Sequence, residues 1–405
     1  MSRRPYRHRP ILGAFVFVFV LLASPAGATT GTSVWKVVPT PNPGGSRVSD
    51  ITFSGVSAAS TTDAWAVGID QSGAFRHPLV ERWDGVHWRA VRVPEPAGRQ
   101  SWFNGVLDLS PTDAWAVGES TSPTADNQDQ RTFVEHWDGT EWSIVPSPNP
   151  VVGGASGDVL QGIAGTGPAD LWATGWVHDD PNNENVLLFE HFDGTAWKAL
   201  PTPSPPGAEQ FGADITALAS DDVWAVGSNA LQTTLAAHWN GRRWSIVPTP
   251  SLHDGISPLN ALTGVTAVAR NDVWASGYEG NVNNQNFMEP YVLHWDGTAW
   301  ALVLTPNLGG EGSRLNAATA LSATDVWAVG QTQELDGSIL TLTERFDGTA
   351  WSVVPSPDPG SVGGLLVNSL SGVAGAGGGV LYAVGAQEIS GQCCLRTLAL
   401  QTNRG

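Results

Sequence analysis

The chain has 405 residues, 14% of them charged, with a formal net charge of −18, 19 Trp and only two Cys. A surface this acidic repels phosphate backbones and anionic headgroups, so nucleic-acid and membrane partners are not expected. Cys393 and Cys394 are adjacent; neighbouring Cα atoms about 3.8 Å apart fall below the usual disulfide range, which leaves a strained vicinal bond or two thiols and excludes a stapled framework.

Residues 1–28 read as a cleaved secretory signal. Arg3, Arg4, Arg7 and Arg9 form a basic start, Ile11 to Leu22 an apolar run and Ala26-Gly27-Ala28 a small-residue cleavage site. The run is shorter than the roughly 20 residues of a spanning helix. The expectation is a secreted, extracellular protein without membrane insertion, in which residues 29–405 form one domain. Losing four Arg and no acid takes the formal charge from −18 to −22.

From there on the chain repeats. A Trp or Tyr recurs in one short apolar segment at Trp65, Trp115, Trp172, Trp224, Trp274, Trp327 and Tyr382, at spacings of 50 to 57 residues. That period is the size of a propeller blade. The fourth unit shows the grammar: a small-residue strand around Ile215 to Ala219, the Ser220-Asp221-Asp222 turn, Val223 to Gly227, a variable loop, Leu235 to Trp239, Asn240-Gly241, and Arg242 to Val247 before Pro248-Thr249-Pro250. Alternating apolar residues around Asn-Gly or Asp-Gly predict a hairpin closed by a two-residue type I′ turn, so each unit is four short antiparallel strands.

The Asp-Gly or Asn-Gly pair starts at Asp84, Asp138, Asp193, Asn240, Asp296 and Asp347, each four residues before a Trp. A seventh such Trp, Trp35, stands alone near the start, and the last unit stops after its third strand, around Thr397 to Leu400. The chain therefore predicts an all-β, seven-bladed propeller whose N-terminal strand completes the last blade, leaving no open edge. The run Asp325 to Gly330, then Arg345-Phe346-Asp347-Gly348-Thr349-Ala350-Trp351 and Pro355-Ser356-Pro357, resembles the kelch-type blade of galactose-oxidase-like propellers over residues 33 to 403. The Asp-Gly-Thr-x-Trp turn is similar to the Asp-box of sialidase-like propellers without its leading Ser. The resemblance implies architecture and carries no activity with it.

With units serving as copies of one another, recurring residues are scaffold and departures are candidates. Arg82, His136, His191, His238, His294 and Arg345 hold one equivalent position, and Asp63, Asp113, Asp170, Asp222, Asp272 and Asp325 another. Histidines distributed around a ring cannot converge on one metal, so a repeated structural hydrogen bond to that Asp is expected. Trp102, with Phe103 and Asn104 beside it, Trp176, His178 and Tyr278 break the pattern. Strand order puts them on the face of the long variable loops, as an aromatic platform for a sugar ring or peptide with Asn104 and His178 as hydrogen-bonding groups.

Asp108 and Asp214 replace small residues on the innermost strand and are the candidates for an acid–base pair at the channel mouth, as in a glycoside hydrolase or lyase. The loop acids Asp126, Asp129, Asp179, Asp180 and Glu184, with Asn182, Asn183 and Asn185, offer oxygen to calcium but match no EF-hand spacing. No cofactor or catalytic motif occurs: there is no G-x-S-x-G, H-E-x-x-H or phosphate loop. The chain reads as a monomeric binding or scaffold module whose partner is an extracellular glycan or a surface protein, with the carbohydrate-active enzyme as the alternative.

Overall fold

The computed structural model describes residues 34–402 except for 43–49, 72, 74, 124–128, 151–155, 180–183, 204–208, 230–232, 251–259, 282–283, 307, 309–310, 363 and 390–393. The signal-like segment, Asp126, Asp180, Asn182, Asn183 and Cys393 thus lie outside the described residues. Seven sheets with four antiparallel strands each follow one another as blades 1 to 7, and in blade 2 the short strand Ser156–Gly157 adds in parallel beside Asp129–Trp137. Blade 2 is representative, with strands Gln100–Ser110, Asp113–Thr121, Asp129–Trp137 and Trp142–Ile144 running from the channel outwards. Blade 7 is built from Asn368–Gly375, Leu381–Glu388 and Leu395–Thr402, and its fourth strand is Trp35–Val37, with Trp35 opposite Thr402 and Val37 opposite Leu400. The ring is closed by joining the two ends of the chain.

The core lies between blades, which explains the Trp period. Each second-strand aromatic inserts against the hairpin aromatics of the next blade: Trp65 meets Trp137 and Trp142 at 5.2 and 5.0 Å, Trp172 meets Trp239 and Trp244 at 5.3 and 6.0 Å, and Trp224 meets Trp295 and Trp300 at 4.9 and 5.2 Å. Closure uses the same contact twice. Trp327 packs on Trp35 at 5.7 Å, and Tyr382 on Trp83 and Trp88 at 5.8 and 6.1 Å. Each such ring removes on the order of 150–250 Å² from water, so the interfaces rather than single sheets supply the stability.

The hairpins differ from the expected two-residue turn. In blade 2 the last paired residues are Trp137 and Trp142, so Asp138 to Glu141 form a four-residue loop in which Gly139 alone takes a positive φ, of 96°. Asp138 Oδ1 accepts the N–H groups of Thr140 and Glu141 at 2.8 and 3.0 Å, and the same arrangement recurs at Asp84, Asp193, Asn240, Asp296 and Asp347. The side chain satisfies the loop amides, so one left-handed residue suffices where type I′ needs two.

Every first strand carries a β-bulge, between Phe53 and Gly55, Phe103 and Gly105, Leu160 and Gly162, Gly212 and Asp214, Leu262 and Gly264, Leu315 and Ala317, and Leu370 and Gly372. The bulge dictates the invariant Gly of the second strand. A Cβ on Gly118 would lie 2.1 Å from the Trp102 carbonyl oxygen, so no larger residue fits there.

Candidate functional site

The two ends of the propeller carry different chemistry. At the end with the tight turns, the repeated Asp bonds the repeated His or Arg in six blades: Arg82 Nε donates to Asp63 at 2.9 Å, Arg345 Nε to Asp325 at 2.7 Å, and the Nε2 atoms of His136, His191, His238 and His294 lie 2.7 to 3.0 Å from Asp113, Asp170, Asp222 and Asp272. In blades 2, 3, 5 and 6 the same carboxylate also accepts the indole N–H of Trp115, Trp172, Trp274 or Trp327 at 2.8 to 3.0 Å. Each His ring lies against its Trp, as in His191 on Trp172 at 4.2 Å. These histidines are held inside separate blades and converge on nothing.

The channel opens at the other end. Each first-strand bulge turns one residue inwards, so Ser54, Asn104, Gln161, Ala213, Thr263, Asn316 and Ser371 form a ring around a cavity of about 560 Å³. That volume lies within the range of small-ligand sites. Three ring members reach across to the next blade: Asn104 Nδ2 donates to the Leu160 carbonyl at 2.9 Å, Thr263 Oγ1 to that of Leu315 at 2.7 Å and Asn316 Nδ2 to that of Leu370 at 2.7 Å.

Asp214 lines this channel, but both its oxygens already accept hydrogen bonds, from the N–H of Val265 in the next blade at 2.8 Å and of Ile215 at 2.9 Å. Burial pushes its pKa up to about 7 against those two bonds. Asp108 is buried farther along the strand, away from the cavity lining. Its Oδ2 accepts the Ala59 N–H of blade 1 at 3.0 Å, and its own N–H donates to Ser57 Oγ at 3.0 Å; burial raises its pKa to about 7. The two carboxylates therefore join blades at different depths and do not share a cleft.

Around the mouth the blades cease to be copies. Trp102 is paired in register with Glu119 and lies under the Arg76 guanidinium, 4.9 Å from the ring centroid. Glu119 is buried and accepts Gln130 Nε2 at 2.6 Å, with the Asn104 and Trp102 side chains as further donors; burial pushes its pKa up to about 7 despite them. Arg99 ties the neighbouring loops together, donating to Asp129 Oδ2 at 2.7 Å and to Ser120 Oγ at 3.1 Å, and its hydrogen bond, helped by its charge, holds the Asp129 carboxyl below the usual range. Trp176 occupies the position of Glu119 one blade on, is partly exposed, and meets Phe211 of blade 4 edge to face at 5.5 Å. Tyr278 holds the same position in blade 5 and is also partly exposed.

Phe103 is a correction to the platform. It is fully buried and stacks on Phe133 at 4.9 Å, because the residue before the bulge points between blades rather than out of the face. His178 Nδ1 lies 3.1 Å from Asn185 Oδ1 across its own hairpin. Of the calcium candidates, Glu184 faces Asp179 in the strand register, Asp129 is held by Arg99 and Arg131, and the side chain of Asp179 lies outside the described residues with Asp180. No group of three or more metal-binding side chains occurs among the described residues. Cys394 is disulfide-bonded. Sequence reasoning missed Arg76, Glu119, Gln130 and the bulge ring; a signal for the ring existed in the column of polar residues one place before the first-strand Gly.

No protein-family model and no curated protein matches the chain. Solved structures do resemble it. YCF48 bound to a D1 peptide is 14% identical and aligns over 94% of this chain and 99% of its own, with a TM-score of 0.55. YCF48 from Cyanidioschyzon merolae, 12% identical, aligns over 92% and 99% with a TM-score of 0.53. A six-bladed fucose-recognising lectin of Aleuria aurantia is 15% identical over 75% of this chain and 97% of its own, at a TM-score of 0.45. At such identities the likeness to the two YCF48 structures is one of fold.

Proposed function

We propose that this chain is a secreted binding module that recognises an extracellular glycan through the face where the channel opens. One observation carries the reading: the residues that break the repeat, Trp102, Glu119, Trp176 and Tyr278, sit on first and second strands that frame the mouth, while the opposite end repeats one internal bonding pattern in six blades. Partly exposed aromatic rings beside amide groups are what a sugar offers partners for, its C–H faces stacking and its hydroxyls bonding. The signal-like first 28 residues support secretion.

A peptide from a surface protein is the second reading. It is favoured by the nearly full-length likeness to YCF48, whose structure holds a D1 peptide. Printed glycan and peptide arrays probed with the mature protein separate the two. The proposal expects glycan signals that fall at least tenfold in Trp176→Ala, with the melting temperature of the variant close to that of the wild type. Glycan signals equal in wild type and variant, or signals on peptides alone, overturn it.

A further inference from the structure

The lining of the channel narrows the ligand class, an inference that rests on the recognition reading above. Among the described residues one ionisable side chain, Asp214, lines the cavity, and its carboxylate is committed to two backbone N–H groups. Among the described residues no Arg, Lys or His lines it, so an anionic group inside the channel finds no counter-charge, the Arg76 guanidinium lying outside on the rim over Trp102, and a cationic group finds no carboxylate free to pair. What remains are hydroxyls and amides. Each Ser hydroxyl and each Gln amide can donate and accept, which is the complement of a polyhydroxy compound.

These groups are unevenly distributed. On the side of blades 4 to 6, Ala213 contributes nothing polar, and Asp214, Thr263 and Asn316 bond to the backbone. On the side of blades 7 to 3, Asn104 is bonded to the Leu160 carbonyl, while Ser371, Ser54 and Gln161 line the cavity and make no such cross-blade bond among the described residues. Blades 2 and 3 of that side carry Trp102 and Trp176.

We infer that the channel mouth takes the end of an uncharged polyhydroxy ligand, a neutral hexose chain, hydrogen-bonded by Gln161, Ser54 and Ser371 while the rest of it lies across the aromatic rim of blades 2 and 3. Insertion end-on makes the neutral terminus, rather than an internal repeat, the recognised unit.

The test is titration calorimetry on the mature protein with neutral hexose tetrasaccharides, with the same chains ending in a uronic acid, and with chains ending in an unacetylated amino sugar. Neutral chains should bind and both charged forms should bind at least tenfold more weakly. The pair Gln161→Leu and Ser371→Ala should weaken the neutral ligand by roughly tenfold, the loss of two uncharged hydrogen bonds. Gln161→Asn, which keeps an amide on a shorter stem, should fall between. His191→Ala, at the opposite end of the propeller where His191 bonds Asp170, should lower the melting temperature and leave affinity alone. Equal binding of charged and neutral ends, or affinity untouched by the Gln161 and Ser371 changes but lost in Trp176→Ala, overturns the channel site and leaves recognition on the rim. Absence of binding to every sugar removes both.

Discussion

The turn end and the loop end are made from the same strands, yet six of seven blades repeat one bonded pair at the first, while at the second the residue that follows the second-strand Gly differs in every blade. At the turn end, Asp170 serves as an example: it accepts Trp172 Nε1 at 3.0 Å, His191 Nε2 at 2.7 Å and Thr166 Oγ1 at 2.5 Å, so its polar atoms are satisfied from within the blade. At the loop end the corresponding strand positions hold Glu119, Trp176, Ser228, Tyr278 and Gln331. A ring of copies needs uniformity only where blades must pack alike. Freedom from that constraint marks the end where selection for a ligand has room to act.

That contrast can be broken in graded ways. Deleting residues 29–42 removes the closing strand with Trp35 and the Thr40 and Asn42 bonds to Thr397, and it should abolish cooperative thermal unfolding, an effect larger than any single substitution. Trp172→Ala, which empties a fully packed blade interface, should cost about 3–5 kcal/mol by denaturant midpoint. Asp170→Ala leaves an indole N–H and an imidazole without their acceptor and should cost about 1–3 kcal/mol. An undiminished midpoint for either variant would show that the repeated contacts are not what holds the blades together.

A pH series sharpens the comparison further. Glu81, Glu135 and Glu344 are equivalent third-strand residues with no exposed surface, and burial pushes each pKa up to about 8 from an ordinary 4.5. Because the folded pKa exceeds the unfolded one, their contribution is complete below about pH 4.5 and is lost as pH rises towards 8. The melting temperature should therefore fall between pH 5 and pH 8. Glu135→Gln, which stays neutral, should flatten that slope. The smallest expected effect is at the loop end, where Trp176→Ala should move stability by no more than about 1 kcal/mol.

Much of the scaffold was legible because its determinants lie along the chain. The Trp period, the Asp-Gly hairpins and the orphan Trp35 predict seven blades and their closure, and the His–Asp bond follows from two equivalent columns. The hairpin loop was misjudged because one Asp side chain can replace a second left-handed residue, which composition does not reveal. The candidate site was less legible. Whether Phe103 or Asn104 faces the channel depends on a bulge set by pairing with Val117 and Gly118, and that register is not written in strand 100–110 alone. Asp108 and Asp214 stood out as anomalies, but their partners, Ala59 and Val265, belong to other blades some 50 residues away.

The most direct test of the division between ends is one matrix: melting temperature and affinity for the array-selected glycan, measured together for His191→Ala at the turn end and Gln161→Leu at the channel mouth. The account predicts that His191→Ala lowers the melting temperature with affinity unchanged, and that Gln161→Leu weakens binding by several-fold with the melting temperature unchanged. Affinity that follows His191 and ignores Gln161 would contradict it.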